Sequence, residues 1–211
     1  MTDEQPAFSD ALGSTEELEA LYGLPVEAVV SKIIDRLDGH CRDFIACAPF
    51  VLVATADEDG NCDVSPKGGA PGFVAVLDEK RLAIPDAPGN RLVYSLKNVV
   101  SSHRVGLLFL IPGMEETLRV NGAARIIRDQ AVLERCAVEG KRPNLAVAVE
   151  VQEAFIHCPK CFLRSKLWDT ATWPNRADLP TMGAMMVDML KMDIPVETVE
   201  QALDEAHKKL Y

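Results

Sequence analysis

Between residues 50 and 86 the chain passes through four short runs separated by turn signals, and this pattern restricts the fold class strongly. FVLVATA (50–56) is β-branched and apolar, CDVSPK (62–67) alternates, and Asp59-Gly60 between them is a hairpin signal. FVAVLD (73–78) and RLAIPD (81–86) flank Glu79-Lys80 as a second hairpin. Further on, RVGLLFLIP (104–112) reads as a buried strand. ETLRVNGAARIIRD (116–129) reads as a long strand bent or bulged at Asn121-Gly122, and LAVAVEVQEAFIHC (145–158) as the last long one. NRLVYSLKNVVS (90–101) has helical spacing, and residues 130–138 suit a short helix. Six or seven mostly antiparallel strands, linked mainly by hairpins, predict a mainly β (α+β) chain: a small antiparallel barrel with flanking helices.

The flanks are helical. Ser14 before Thr15-Glu16-Glu17 offers an N-cap with early acids. Apolar positions at helical spacing over 25–47 predict two helices broken near Asp38-Gly39. Residues 159–211 are punctuated by proline, carry Trp168 and Trp173, and end in helical stretches at 181–192 and 195–210. The first stretch is Met-rich, which reads as adaptable core or interface. The expected organisation is one domain: a helical segment (1–48), the barrel (49–158) and a tail (159–211).

Charge narrows the function classes. The 211 residues carry a net charge of −10, which disfavours nucleic acid and anionic membrane as partners. No apolar run approaches the ~20 residues of a spanning helix. The acidic N-terminus lacks a basic n-region followed by an apolar core. Six irregularly spaced cysteines do not make a secreted disulfide framework. A cytoplasmic protein is expected.

No side-chain acid–base dyad stands out, so the ligand is the route to function. SPKGG and PGNR each place a cation, Lys67 or Arg91, beside a Gly/Pro turn. From the residues alone these are either tight turns with solvated cations or a phosphate cradle. Arg91 on the first turn of a helix would add a guanidinium to a dipole that favours anions. His157-Cys158-Pro159-Lys160-Cys161 has zinc or redox spacing, but no second such pair exists, and ordinary packing is the simpler reading. His40, His103 and His207 read as surface or structural residues, and no metal site is expected.

The succession DVSPKGGAPGFVAVLD, LAIPDAPGNRLVYSLKNV, VGLLFLIPG, ETLRVNGAARI and HCPKCFLRSKLW resembles the flavin-binding split-barrel family typified by pyridoxamine 5′-phosphate oxidase. The chain is most similar to its bacterial FMN flavoproteins. The resemblance implies an FMN-binding split barrel that dimerises, with FMN at the interface and contacts from both subunits. It implies that Ser65, Pro66 and Lys67 run along the flavin and that Pro85 and Asp86 lie beside the ring or ribityl chain. By the same resemblance Asn90 and Arg91 are expected to take the phosphate, and Thr117 and Arg119 to reach the ring from the other subunit. Arg164, Ser165 and Trp168 fall where a C-terminal segment covers the cofactor. The Arg-led strand and the C-terminal Arg/His signature of the true oxidases are missing, so oxidation of pyridoxamine phosphate is not expected. The resemblance thus implies an oxidoreductase passing hydride between flavin N5 and an unidentified small molecule. The alternatives are a flavin carrier or sensor without turnover, or a split barrel holding haem or a deazaflavin.

Overall fold

In the computed structural model, which describes residues 10–138 and 140–208, the Ser14 hydroxyl accepts from the Glu17 N–H and caps α1 (Thr15–Tyr22). The acidic stretch at residues 1–9 and the expected helical end at 209–210 lie outside the described residues. A second short helix, α2, spans Glu27–Val30. These two helices belong to a unit ending at Ile33, and everything from Ile34 onward forms another.

The helix expected over 25–37 is thus one turn long, for a reason visible in the hydrogen bonds. Ile34 exchanges backbone hydrogen bonds with Ala154 at 3.0 and 2.7 Å, and the Leu37 N–H donates to the Glu79 carbonyl at 2.7 Å. Backbone groups engaged across strands cannot serve a helix, so Ile34 and Leu37 enter the core from extended chain. The predicted break at Asp38 is real. Its carboxylate accepts from the Cys41 N–H at 2.8 Å and starts α3 (Gly39–Cys47), which buries Cys41, Phe44 and Ile45.

The barrel matches the sequence expectation closely. Its elements are β1 (Phe50–Ala56), β2 (Cys62–Gly68), β3 (Ala75–Val76), β4 (Arg81–Pro85), α4 (Tyr94–Ser102), β5 (Arg104–Leu110), β6 (Thr117–Ile127), α5 (Gln130–Arg135) and β7 (Ala146–His157). All paired strands run antiparallel, in the order β2-β1-β5-β6-β7-β4-β3. The β6–β7 register shifts at Asn121/Gly122, where the bend was expected. Gly122 is needed there because a Cβ would sit 2.1 Å from the Glu150 carbonyl oxygen. After β7 come α6 (Lys160–Ser165), α7 (Met182–Leu190) and α8 (Val196–His207).

Alternation along the strands builds the core. Val51 and Val53, Leu107 and Phe109, Leu118 and Val120, and Leu82 and Ile84 all point inward, joined by Leu96 and Val99 of α4. A buried hydrogen bond from Asn98 Nδ2 to Thr55 Oγ1, 3.1 Å long, fixes α4 on β1. β2 and β4 stand near opposite ends of the strand order, yet Lys67 of β2 reaches Asp86, just past β4, at 3.9 Å. The sheet therefore curls until its two ends face each other, and side chains rather than a strand ladder meet across the split.

Candidate functional site

The split is where the expected ligand residues gather. On β2, Asp63, Ser65 and Lys67 are the better-covered set and share one face. Opposite them, Asp86 is tied by its N–H to the Leu145 carbonyl at 3.2 Å, and residues 86–93 lead into α4. Between these walls lies a cleft of about 450 Å3, lined among others by Ser65, Pro66, Lys67, Asp86, Asn90 and Arg91. An adjoining cavity of about 520 Å3 shares Pro66, Lys67 and Asp86 with it, takes in Pro85, and extends to Phe73, Arg142 and Asn144.

The 86–93 loop is held in an uncommon conformation. The Asn90 side-chain oxygen accepts from the Leu92 N–H at 3.0 Å, an Asx-type turn. Arg91 and Val93 both adopt left-handed backbone, with φ of 65° and 50°. For a β-branched residue such as Val93 this is strained, and strain of this kind collects at ligand sites. The loop also shortens the helix expected from residue 90. Helix α4 begins at Tyr94, so Arg91 stands three residues ahead of it and not on its first turn.

Arg91 and the N-terminus of α4 stand at one end of the cleft, whose lining also carries Lys67, Asp63 and Asp86. Among the described residues Arg91 makes no hydrogen bond or ion pair. No side chain caps α4, whose first residues Tyr94, Ser95 and Leu96 line the cleft. Its first-turn N–H groups are left for water or a ligand, with the dipole favouring an anion. Lys67 lies deeper, its charge partly offset by Asp86. A phosphate dianion wants this set of donors: a guanidinium, an ammonium and backbone N–H groups.

The remaining expected residues lie elsewhere in the chain. Thr117 is buried at the start of β6. Arg119, also on β6, stacks its guanidinium over the Phe155 ring at 5.5 Å. Strand registers place Pro66, Leu52, Leu108, Arg119 and Phe155 in one row across five strands, on the face opposite the core. Ser165 Oγ donates to the Phe162 carbonyl at 3.2 Å. The Trp168 indole N–H donates to the Met114 carbonyl at 2.9 Å, and its ring stacks on Phe162. Thr117, Arg119, Arg164, Ser165 and Trp168 do not line the cleft within one protomer. Conversely, Asp63 and Tyr94 line it and were not singled out from the sequence. Period-two alternation with Ser65 and Lys67 marks Asp63, whereas Tyr94 depends on the unforeseen loop before α4.

A split antiparallel barrel with a cleft at its seam, lined by Lys67 and Arg91 together with Asp63 and Asp86, sets the fold class of this protein. The family model described as pyridoxamine 5′-phosphate oxidase matches residues 37–158, and the chain belongs to that family. No curated protein matches it. Among solved structures, a HupZ variant from Group A Streptococcus is 17% identical with a TM-score of 0.48, the match covering 57% of this chain and 99% of that one. A Clostridium acetobutylicum protein related to general stress protein 26 is 18% identical, with a TM-score of 0.38 and coverage of 56% and 85%. HutZ, the haem storage protein from Vibrio cholerae, is 13% identical, with a TM-score of 0.38 and coverage of 57% and 94%.

Proposed function

We propose that the cleft binds FMN and that the protein is an FMN-dependent oxidoreductase of a small molecule, distinct from a true pyridoxamine-phosphate oxidase. The observation that carries this reading is Arg91, unpartnered among the described residues, beside the uncapped N-terminus of α4, with Lys67 in the same cleft. Arg91, Asn90 and the first-turn N–H groups of α4 take the phosphate. Ser65, Pro66 and Lys67 run along the flavin, and Pro85 and Asp86 border it from the other wall. Bound FMN supplies hydride transfer, which no side chain here can perform. The protein's own part is to hold the phosphate, to place a cation near the ring through Lys67, and to leave the adjoining cavity for the second reactant.

The working unit is a homodimer. A second copy brings its Thr117 and Arg119 to the ring, and the segment carrying Arg164, Ser165 and Trp168 covers the cofactor. The outward row from Pro66 to Phe155 supports this, because it sets Arg119 on a face free of core packing.

The test is a visible spectrum of the purified protein before and after FMN is added, followed by anaerobic addition of NADH, NADPH or a reduced deazaflavin. Flavin absorption that bleaches with one of these donors is expected. Protein that stays colourless with FMN overturns the reading. A Soret band identifies a haem binder, and flavin that none of the three donors reduces identifies a carrier or sensor.

A further inference from the structure

The six free cysteines divide into two kinds. Cys41 and Cys136 are buried. Burial pushes the Cys41 thiol up to about 11 and also raises that of Cys136, which suppresses the reactive thiolate. Cys158 and Cys161, by contrast, are exposed. They stand at the two ends of one tight turn. Cys158 directly follows β7, Pro159 has right-handed helical dihedrals (φ −77°, ψ −7°), and Lys160 and Cys161 open α6. The Leu163 N–H, bonded to the Pro159 carbonyl at 3.0 Å, secures that turn.

Helical geometry at the two central residues, with a rise of about 1.5 Å per residue on a radius of about 2.3 Å, sets the first and fourth Cα atoms about 5 Å apart. Disulfides bridge Cα separations of about 4.4–6.8 Å. The other exposed cysteines, Cys47 and Cys62, lie on α3 and β2. Among the described residues no three His, Cys, Asp or Glu side chains gather as metal ligands, so the pair lacks the ligand set of a structural zinc site.

We propose that Cys158 and Cys161 are a redox-active dithiol that closes reversibly to a disulfide by exchange with a small-molecule disulfide. The thiolate of one cysteine attacks the external disulfide, forming a mixed disulfide and expelling one external thiolate. The second cysteine, deprotonated, attacks the protein-bound sulfur, forming the internal S–S bond and expelling the other. The two protons released by the cysteines end on the two external thiols. The protein is oxidised by two electrons and the external disulfide is reduced by two.

The position gives the switch something to act on. The turn joins β7 to α6, whose Phe162 stacks on Trp168 at 5.8 Å between ring centroids. Closing the bridge fixes the joint from which the segment bearing Arg164, Ser165 and Trp168 departs. This chemistry does not depend on the flavin reading.

The test is incubation of the full chain with oxidised glutathione, alkylation of remaining thiols, and peptide mapping by mass spectrometry. The expected product is a Cys158–Cys161 disulfide without retained glutathione, fully reversed by reduced glutathione. The Cys158→Ser and Cys161→Ser variants should each keep glutathione on the remaining cysteine. Glutathione retained at the pair in the unmodified chain, an inert pair, or a bridge to Cys47 or Cys62 overturns the proposal. So does stoichiometric zinc in the purified protein that disappears in Cys158→Ser.

Discussion

The Lys67 ammonium lies 3.9 Å from the Asp86 carboxylate, although their strands stand near opposite ends of a seven-stranded sheet. This one contact reports both that the barrel curls and that it does not close by backbone pairing. At that distance, and with both side chains about one-quarter exposed, the pair contributes little to stability. Lys67→Ala should therefore cost less than about 1 kcal/mol in a denaturant melt. It should weaken FMN binding, read by flavin fluorescence, by more than that. Equal losses in both measurements would make Lys67 a structural residue.

Arg91 is the sharper probe of the phosphate end. Arg91→Ala should weaken FMN binding by about 1.5–3 kcal/mol, the scale of a charge-assisted hydrogen bond. Arg91→Lys should recover part of it, since charge survives while the planar fork is lost. Isothermal titration measures both, and unchanged affinity in Arg91→Ala would remove Arg91 from the phosphate site.

The bulge predicts a purely structural effect. A methyl on residue 122 collides with the Glu150 carbonyl oxygen, an atom of the neighbouring strand's backbone that has no rotamer to escape into. Gly122→Ala should destabilise by about 1–3 kcal/mol, measured by chemical denaturation. A neutral result would mean that the β6–β7 register moves freely.

Asp38 links folding to pH. Hydrogen bonding from the Cys41 N–H holds its carboxyl below the usual range. A depressed folded value means that this group stabilises above the unfolded Asp value of about 3.9 and loses that contribution as pH falls through the folded value. Asp38→Ala should cost about 0.5–2 kcal/mol near neutral pH, and the gap to the unmodified chain should shrink in acid. Asp38→Asn should keep much of the cap and flatten that pH dependence. Melting curves from neutral to acidic pH decide between these outcomes.

Strand content, hairpins and the β6 bulge were legible because each is written locally, as alternation, Asp59-Gly60 or Asn121-Gly122. The segment around Ile34 was not. Its apolar spacing fits a helix, and only the distant Ala154 backbone decides against one. The cleft was legible on β2, where spacing sets the face, and at Asn90 and Arg91, where the turn carries the charge. Tyr94 was hidden because the loop before α4 takes left-handed backbone at Arg91 and Val93, residues with no local signal for it. Thr117, Arg119, Arg164, Ser165 and Trp168 do not line the cleft of this chain, and their place at the cofactor rests on the proposed homodimer.

The strand that forms one wall of the cleft, β2, has no fully buried side chain, while its neighbour β1 anchors Val51 and Val53 in the core. Exchanges at such partly exposed positions usually shift stability by no more than about 0.5 kcal/mol. The residues that line this wall of the cleft are thus thermodynamically decoupled from those that hold the barrel. Under the proposed function, cofactor preference would drift along β2 by successive substitutions without passing through an unfolded intermediate genotype.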